Sequence, residues 1–468
     1  MGQLPPLSEE HLQRIGHWID LPAQDRPDDE ALQLPAGMSR QQAEQSLAQL
    51  WDAYRGRVAD EELGELPPKL GELVEQDGGR RINLAPRKLT IGAHEMPFVL
   101  VRRETAPAPE AGRPLFICTH GGGRNSRVDS PHAWSVNTRE WQTQVRFAAG
   151  YYPSEGLYFV PRMADDRLGR WYHGLNQDAF ERVAEHAIAH WGVDPNRVYL
   201  VGISEGGYGT AILAPFMPDR FGGANAMAAG VGLGNPAENL RNLAFRTDVG
   251  ERDTTFNRVG LAKAFHQALD DHHQEQPADY QHAINVQPGR GHGINYRPGI
   301  RWVAQHQRNP WPTRLTWLSK KVDGQRRSRH YWVQVDGPIR DGRDFRLQAW
   351  VDPETRHIFV SIEQVEIKGD QGNPTHVRRG EVVKADPLTG VSLRVLLHDD
   401  LIDLEQPLRI SVNGRLRFDG QVERDAAVQL RTLAGYGDPA MTASAQVVID
   451  LPDVDPPKPI ERALPDPR

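Results

Sequence analysis

The chain has 468 residues, 38% of them hydrophobic, with 44 glycines and 36 prolines; that is material for two cores and too many turn residues for a helical bundle. Its formal net charge of -7 at pH 7 leaves no basic excess, which argues against nucleic acid as a partner, and no run approaches the roughly 18 apolar residues needed to span a bilayer. A single cysteine, Cys118, excludes an intramolecular disulfide, and within Pro114–Thr119 it reads as a small buried apolar residue.

The first twenty residues mix Glu9, Glu10, His11 and Arg14 with scattered apolar positions and lack the apolar centre of a secretory signal. As written the chain is expected to be cytoplasmic, or secreted or periplasmic if a signal has been removed. Residues 1–80 read as a helical extension. Ser39 and Gln42 form a capping box, and Ala43, Leu47, Leu50, Trp51 and Tyr54 then make one apolar stripe, expected to pack on the main domain.

From residue 81 short apolar runs replace this pattern: Ile82–Leu84, Lys88–Gly92, Pro97–Arg102, Leu115–Thr119, Leu157–Val160 and Arg197–Ile203. The last three suit strands buried on both faces of a parallel sheet. Between the final two, Phe180, Val183, Ala184, Ala187, Ile188 and Trp191 mark a helix over Gln177–Trp191, stopped by Gly192. Residues 81–310 are therefore expected to form an α/β domain, mostly parallel and doubly wound. Beyond 310 the period becomes two, as in Tyr331-Val333-Val335 and Ile358-Val360-Ile362, and Asn413-Gly414 marks a tight hairpin. Residues 311–450 read as an all-β, sandwich-like domain, and 451–468 as a loose Pro-rich tail.

Two motifs carry chemistry. Gly202-Ile-Ser-Glu-Gly-Gly207 follows a buried strand and precedes an apolar helix. A serine hydroxyl is a weak nucleophile until geometry and a base activate it, and Gly-x-Ser-x-Gly seats it on a sharp strand-to-helix turn. Ser204 is the candidate nucleophile, and the backbone N–H of Glu205 a candidate donor to an oxyanion. Upstream, His120-Gly-Gly-Gly123 ends another strand. Its bare glycines, Gly121 and Gly122, leave backbone N–H groups free to approach developing negative charge. The loop lacks the Gly-x-Gly-x-x-Gly spacing of a dinucleotide site.

With Leu115–Gly123 and Val193–Gly207, the chain resembles the α/β-hydrolase superfamily, and within it the esterase, polyhydroxybutyrate-depolymerase-like and prolyl-oligopeptidase-like branches. The resemblance covers roughly residues 81–305. It implies an acid on the loop after the next-but-one strand and a histidine after the last. Asp253, in Gly250-Glu-Arg-Asp253, matches the acid, with Asp248 as competitor inside the strand. His292, between Gly291 and Gly293, matches the base. Trp171, Tyr172 and His173 stand where such folds build substrate walls.

The remaining features have blander readings. His186 and His190, four apart, lack the Glu of a zinc motif and read as surface residues. His272 and His273 are expected to end a helix that begins near Arg258. Arg326-Arg-Ser-Arg329 reads as a solvated loop. The chemistry expected is hydrolysis of a small-molecule or polymeric ester without metal or cofactor. A serine peptidase is the alternative, and an inactive scaffold whose β region binds a partner is the third reading.

Overall fold

The computed structural model describes residues 6–452 except 23–24, 28, 72, 77–78, 83, 340–343 and 369–380. Its centre is an eight-stranded sheet: β1 Arg87–Ile91, β2 His94–Arg103, β3 Arg113–Thr119, β4 Gly156–Pro161, β5 Val193–Ile203, β6 Gly223–Met227, β7 Ala244–Gly250 and β8 His282–Gln287. Their spatial order is 1-2-4-3-5-6-7-8. β2 pairs antiparallel with β1 and β4, and every other pairing is parallel.

Both faces of this sheet are covered, which is why its strands read as unbroken apolar runs. After the helices α1 Glu9–Asp20, α2 Arg40–Arg55 and α3 Ser135–Arg146 come α4 Gly174–His190 and α5 Glu205–Phe216. On one face Leu115, Ile117, Phe159 and Leu200 pack with Phe180 and Val183 of α4 and Leu213 of α5. Alternate residues, Phe116, Cys118, Tyr158 and Val201, point the other way, toward Ala148, Ile300 and Val303. Cys118 is buried as expected, and burial pushes its thiol pKa well up. β6, Gly-Ala-Asn-Ala-Met, carries no β-branched residue and escapes a propensity reading, yet all five residues are buried between two parallel neighbours. Tertiary pairing overrides local preference there.

The strand expected at Ile82–Leu84 lies outside this sheet. Gly79–Ile82 pairs with Leu73–Gln76, and Asn83 lies outside the described residues.

Beyond β8 two further sheets share one apolar core. The six-stranded one contains Arg314–Ser319, Asp344–Asp352, His357–Lys368, Glu381–Pro387, Leu408–Val412 and Arg415–Gly420; the four-stranded one contains Arg329–His330, Val333–Asp336, Val391–Leu397 and Ala445–Leu451. Leu347, Val360 and Ile410 from the first meet Val333, Leu393 and Val447 from the second. Asn413 (φ 50°) and Gly414 (φ 75°) make the predicted hairpin turn. Residues 453–468, most of the predicted Pro-rich tail, lie outside the described residues.

Three expectations are corrected. The region expected to be all-β contains a helix, Ala426–Tyr436. The N-terminal helices Glu9–Asp20 and Arg40–Arg55 pack chiefly on it: Ile15, Leu50 and Tyr54 share a core with Ala426, Leu430 and Leu433. Ala36–Met38 also pairs with Arg424–Asp425. The predicted capping box at Ser39 and Gln42 is formed, with both reciprocal bonds.

Second, Arg326–Arg329 is no solvated run. Arg327 pairs with Glu181 of α4 at 2.6 Å, Arg326 pairs with Asp344 at 2.7 Å, and Arg329 is buried. Third, His186 is buried rather than on the surface. Its Nδ1 accepts from the Asp60 N–H and its Nε2 donates to the Gly64 carbonyl, so both ring nitrogens staple the 60–64 segment to α4.

Candidate active site

β5 passes into α5 through a single residue, Ser204, held at φ 57°, ψ −112°. A non-glycine residue in this region costs on the order of 1–3 kcal/mol and persists only where its surroundings over-determine it. Here they do. A Cβ on Gly202 would lie 2.1 Å from the Gly206 carbonyl oxygen, and one on Gly206 would lie 2.3 Å from that of Thr119. The two glycines let strand and helix close onto β3. Ser204 N–H donates to the Met227 carbonyl at 2.8 Å, and its own carbonyl accepts from Tyr208 N–H at 3.0 Å.

Two loops from the same sheet edge reach this serine. His292, after β8, has Nε2 2.9 Å from Ser204 Oγ, and its Nδ1 stands 2.7 Å from Asp253 Oδ2 on the loop after β7. The histidine side chain is 47% exposed and the aspartate 2%. The other Asp253 oxygen accepts from Arg258 Nη1 at 2.9 Å. No sequence signal marked Arg258.

Gly250 explains how the acid and histidine loops approach each other, since a Cβ there would stand 2.1 Å from the Gly291 carbonyl oxygen. Glu251 and Arg252 N–H groups donate to the Gln287 and Arg290 carbonyls across the same seam. By contrast, a Cβ at Gly291 or Gly293 would meet nothing within 4 Å. The competitor Asp248 is buried within β7, bonded to Arg246 and Asn285.

The loop after β3 lies against the elbow: a Cβ on Gly121 would be 3.3 Å from Ser204 Cβ. His120 fixes its peptide planes. Burial pulls the imidazole pKa down to about 4, so the ring is neutral near pH 7. Its Nε2 accepts from Met163 N–H at 3.0 Å, which leaves the proton on Nδ1 to donate to the Gly121 carbonyl. In a trans peptide the C=O and N–H point oppositely, so the Gly122 N–H faces away from that imidazole.

Gly122 (φ 101°) has no room for a Cβ, which would strike Asn137 Oδ1 at 2.0 Å. That buried amide accepts from Gly123 N–H and donates to its carbonyl, both at 3.0 Å, and donates to Asp166 at 2.7 Å. Arg162 clamps both oxygens of Asp166. Asn137, Asp166 and Arg162 are all buried, and a buried ion pair is tolerable when its remaining lone pairs and protons are satisfied in this way. The other candidate donor, Glu205 N–H, stands at the first turn of α5, where backbone N–H groups have no helical acceptor and the dipole favours negative charge.

The Glu205 side chain is more constrained than its position after the serine suggested. It is 6% exposed and meets Arg170 at 2.5 Å, beside Gly123. Burial raises its pKa to about 7 even against Arg170 and Arg258. A raised carboxyl pKa means that the folded state binds the proton more tightly, so this group weakens the fold above pH 7 and ceases to do so below pH 4.5. Glu205→Gln should therefore stabilise the protein at pH 8, by up to about 3 kcal/mol. The gain should vanish toward pH 4.5, read by urea unfolding at both pH values.

Of the expected substrate wall, Trp171 is corrected. It is 0% exposed, donates from Nε1 to the His120 carbonyl at 2.9 Å and stacks on Phe180, so it supports the glycine loop from beneath. Tyr172 and His173 are half-buried, with His173 Nδ1 3.0 Å from Asp323. His272 and His273 fall in the last turn of the helix Arg258–Glu275, as expected. Among the described residues no group of three or more His, Cys, Asp or Glu is arranged to hold a metal ion, and no helix is long and apolar enough to cross a membrane.

No protein-family model matches the chain. It is 28% identical over 142 residues to the "Putative esterase NocK" of Nocardia uniformis subsp. tsuyamanensis, a match covering 30% of this chain and 40% of that protein. The matched part is thus less than half of the relative's length. Among solved structures, a thermostable esterase is 16% identical with a TM-score of 0.35, covering 48% of this chain and 63% of that one. Thermogutta terrifontis esterase 2, solved phosphorylated by paraoxon, is 16% identical with a TM-score of 0.34, covering 47% and 90%. The 1-2-4-3-5-6-7-8 sheet, with its serine elbow after the fifth strand, is similar to the α/β-hydrolase fold, and over 142 residues the chain is similar to a putative esterase.

Proposed function

We propose that the chain hydrolyses carboxylic esters, with Ser204 as nucleophile, His292 as general base and acid, and Asp253 as the carboxylate that orients His292. One observation carries this reading: the unbroken line from Ser204 Oγ through His292 to Asp253, with steps of 2.9 and 2.7 Å. An ionised Asp253 accepts from Nδ1–H, which leaves the Nε2 lone pair directed at the serine hydroxyl. As Oγ attacks the ester carbonyl, Nε2 takes its proton and Asp253 stabilises the imidazolium. The oxyanion is received by N–H groups of Glu205 and the Gly121-Gly122 stretch. The leaving alcohol takes the proton from Nε2. Water then attacks the acyl-enzyme by the same steps, with His292 again as base, and regenerates Ser204.

Kinetics on p-nitrophenyl acetate and on alanine p-nitroanilide test the bond. The ester should have the larger kcat/KM, and a larger value for the amide would make the chain a peptidase instead.

In this reading Asn137 is a positioning residue, because it holds the Gly123 peptide and touches no reacting atom. Asn137→Ala should lower kcat by about 10- to 100-fold, short of the loss of a direct oxyanion donor. KM should change little. A KM rise with kcat unchanged would remove Asn137 from the account.

A further inference from the structure

A cavity of about 430 Å³ lies away from Ser204, between α4, the 325–329 segment, the helix Ala426–Tyr436 and the strands Val391–Leu397 and Ala445–Leu451. That volume falls in the range of small-molecule sites. Its lining is unusual in charge: six arginines (220, 326, 327, 329, 394 and 431) against the carboxylates of Asp178 and Glu181. The acids beside and behind the wall are shared among these guanidiniums: Glu181 pairs with Arg220 and Arg327, Asp219 lies 3.9 Å from Arg327, Asp344 pairs with Arg326, and Asp336 with Arg394.

Besides these ion pairs, two local arrangements bring guanidiniums against neutral groups. The Tyr436 ring has the Arg220 guanidinium 3.5 Å from its centroid and that of Arg329 at 4.4 Å. Across the cavity, Arg431 and Arg394 converge on a single neutral oxygen, Gln446 Oε1, at 3.0 and 3.4 Å. Two planar forks converging on one oxygen is the geometry by which arginines hold phosphate or carboxylate. The amide oxygen occupies the place of an anionic one.

We propose that this cavity binds a small, multiply charged oxyanion, carrying phosphate or several carboxylates, at the seam between the eight-stranded sheet's helices and the C-terminal sheets. The site is independent of the ester chemistry. Its ligand would tie α4 and Arg220 on one side to Arg394 and Arg431 on the other.

Calorimetric titration of the full chain with pyrophosphate and, separately, citrate, at constant ionic strength, tests this. We expect one saturable site for at least one of them; pyrophosphate alone would identify a phosphate ligand, and citrate alone a carboxylate. Gln446→Glu places a carboxylate where the two forks meet. It should raise the Tm of the ligand-free protein and weaken anion binding by about tenfold or more. Arg431→Gln should weaken binding similarly while leaving p-nitrophenyl acetate hydrolysis unchanged. Absence of saturable binding of either anion overturns the proposal. So does a Gln446→Glu protein with lower Tm and undiminished binding.

Discussion

Ser204→Ala should lower kcat/KM for p-nitrophenyl acetate by about 10⁵- to 10⁶-fold, the scale on which a nucleophile's loss disables a serine relay. The hydroxyl is the only atom removed. Its partner, His292, is half-exposed, so water replaces the lost bond and the fold should be almost unaffected. The backbone at this position is fixed by steric limits at Gly202 and Gly206 rather than by the hydroxyl, and alanine keeps the same conformation. Unfolding midpoints of the two proteins should therefore agree within a few degrees. A comparable loss of activity with a collapsed midpoint would mean that the residue acts structurally.

Asp253→Asn should cost about 10³- to 10⁴-fold in kcat, and the reason lies in a residue outside the relay. Arg258 donates to Asp253 Oδ1, so an asparagine must keep its carbonyl oxygen there. Its NH₂ is then turned to His292 Nδ1. Facing a donor, Nδ1 becomes the acceptor and the ring proton moves to Nε2, pointing at Ser204 Oγ and unable to accept its proton. The defect should appear in kcat on the same ester, with KM little changed. An Asp253→Asn protein within tenfold of wild type would break the link between acid and imidazole. Asp248→Asn offers the control, since Asp248 is engaged with Arg246 and Asn285.

What could be read from the residues, and what could not, divides along physical lines. The elbow was legible because its limits are local: glycines two residues either side of a serine, between an apolar strand and an apolar helix, have few other uses. Asp253 and His292 were candidates through the family resemblance, and the structure brings both side chains into line with Ser204, although the glycine that lets their loops meet is Gly250, forty-two residues before His292, and not its neighbours. Arg258, Asn137, Asp166 and Arg162 carried no signal, because a buried polar side chain is defined by partners that only the fold supplies. Trp171 was misread for the same reason, as an aromatic beside a candidate site can face inward or outward. The N-terminal stripe was recognisable as apolar, but its partner was a helix nearly four hundred residues later.

A fluorophosphonate probe, followed by intact-mass and peptide mapping, puts the relay to the most direct test. The proposed chemistry predicts one adduct, on the peptide containing Ser204, absent in Ser204→Ala and formed far more slowly in His292→Ala. Folded wild-type protein that takes up no probe, or takes it up at another residue, would contradict it.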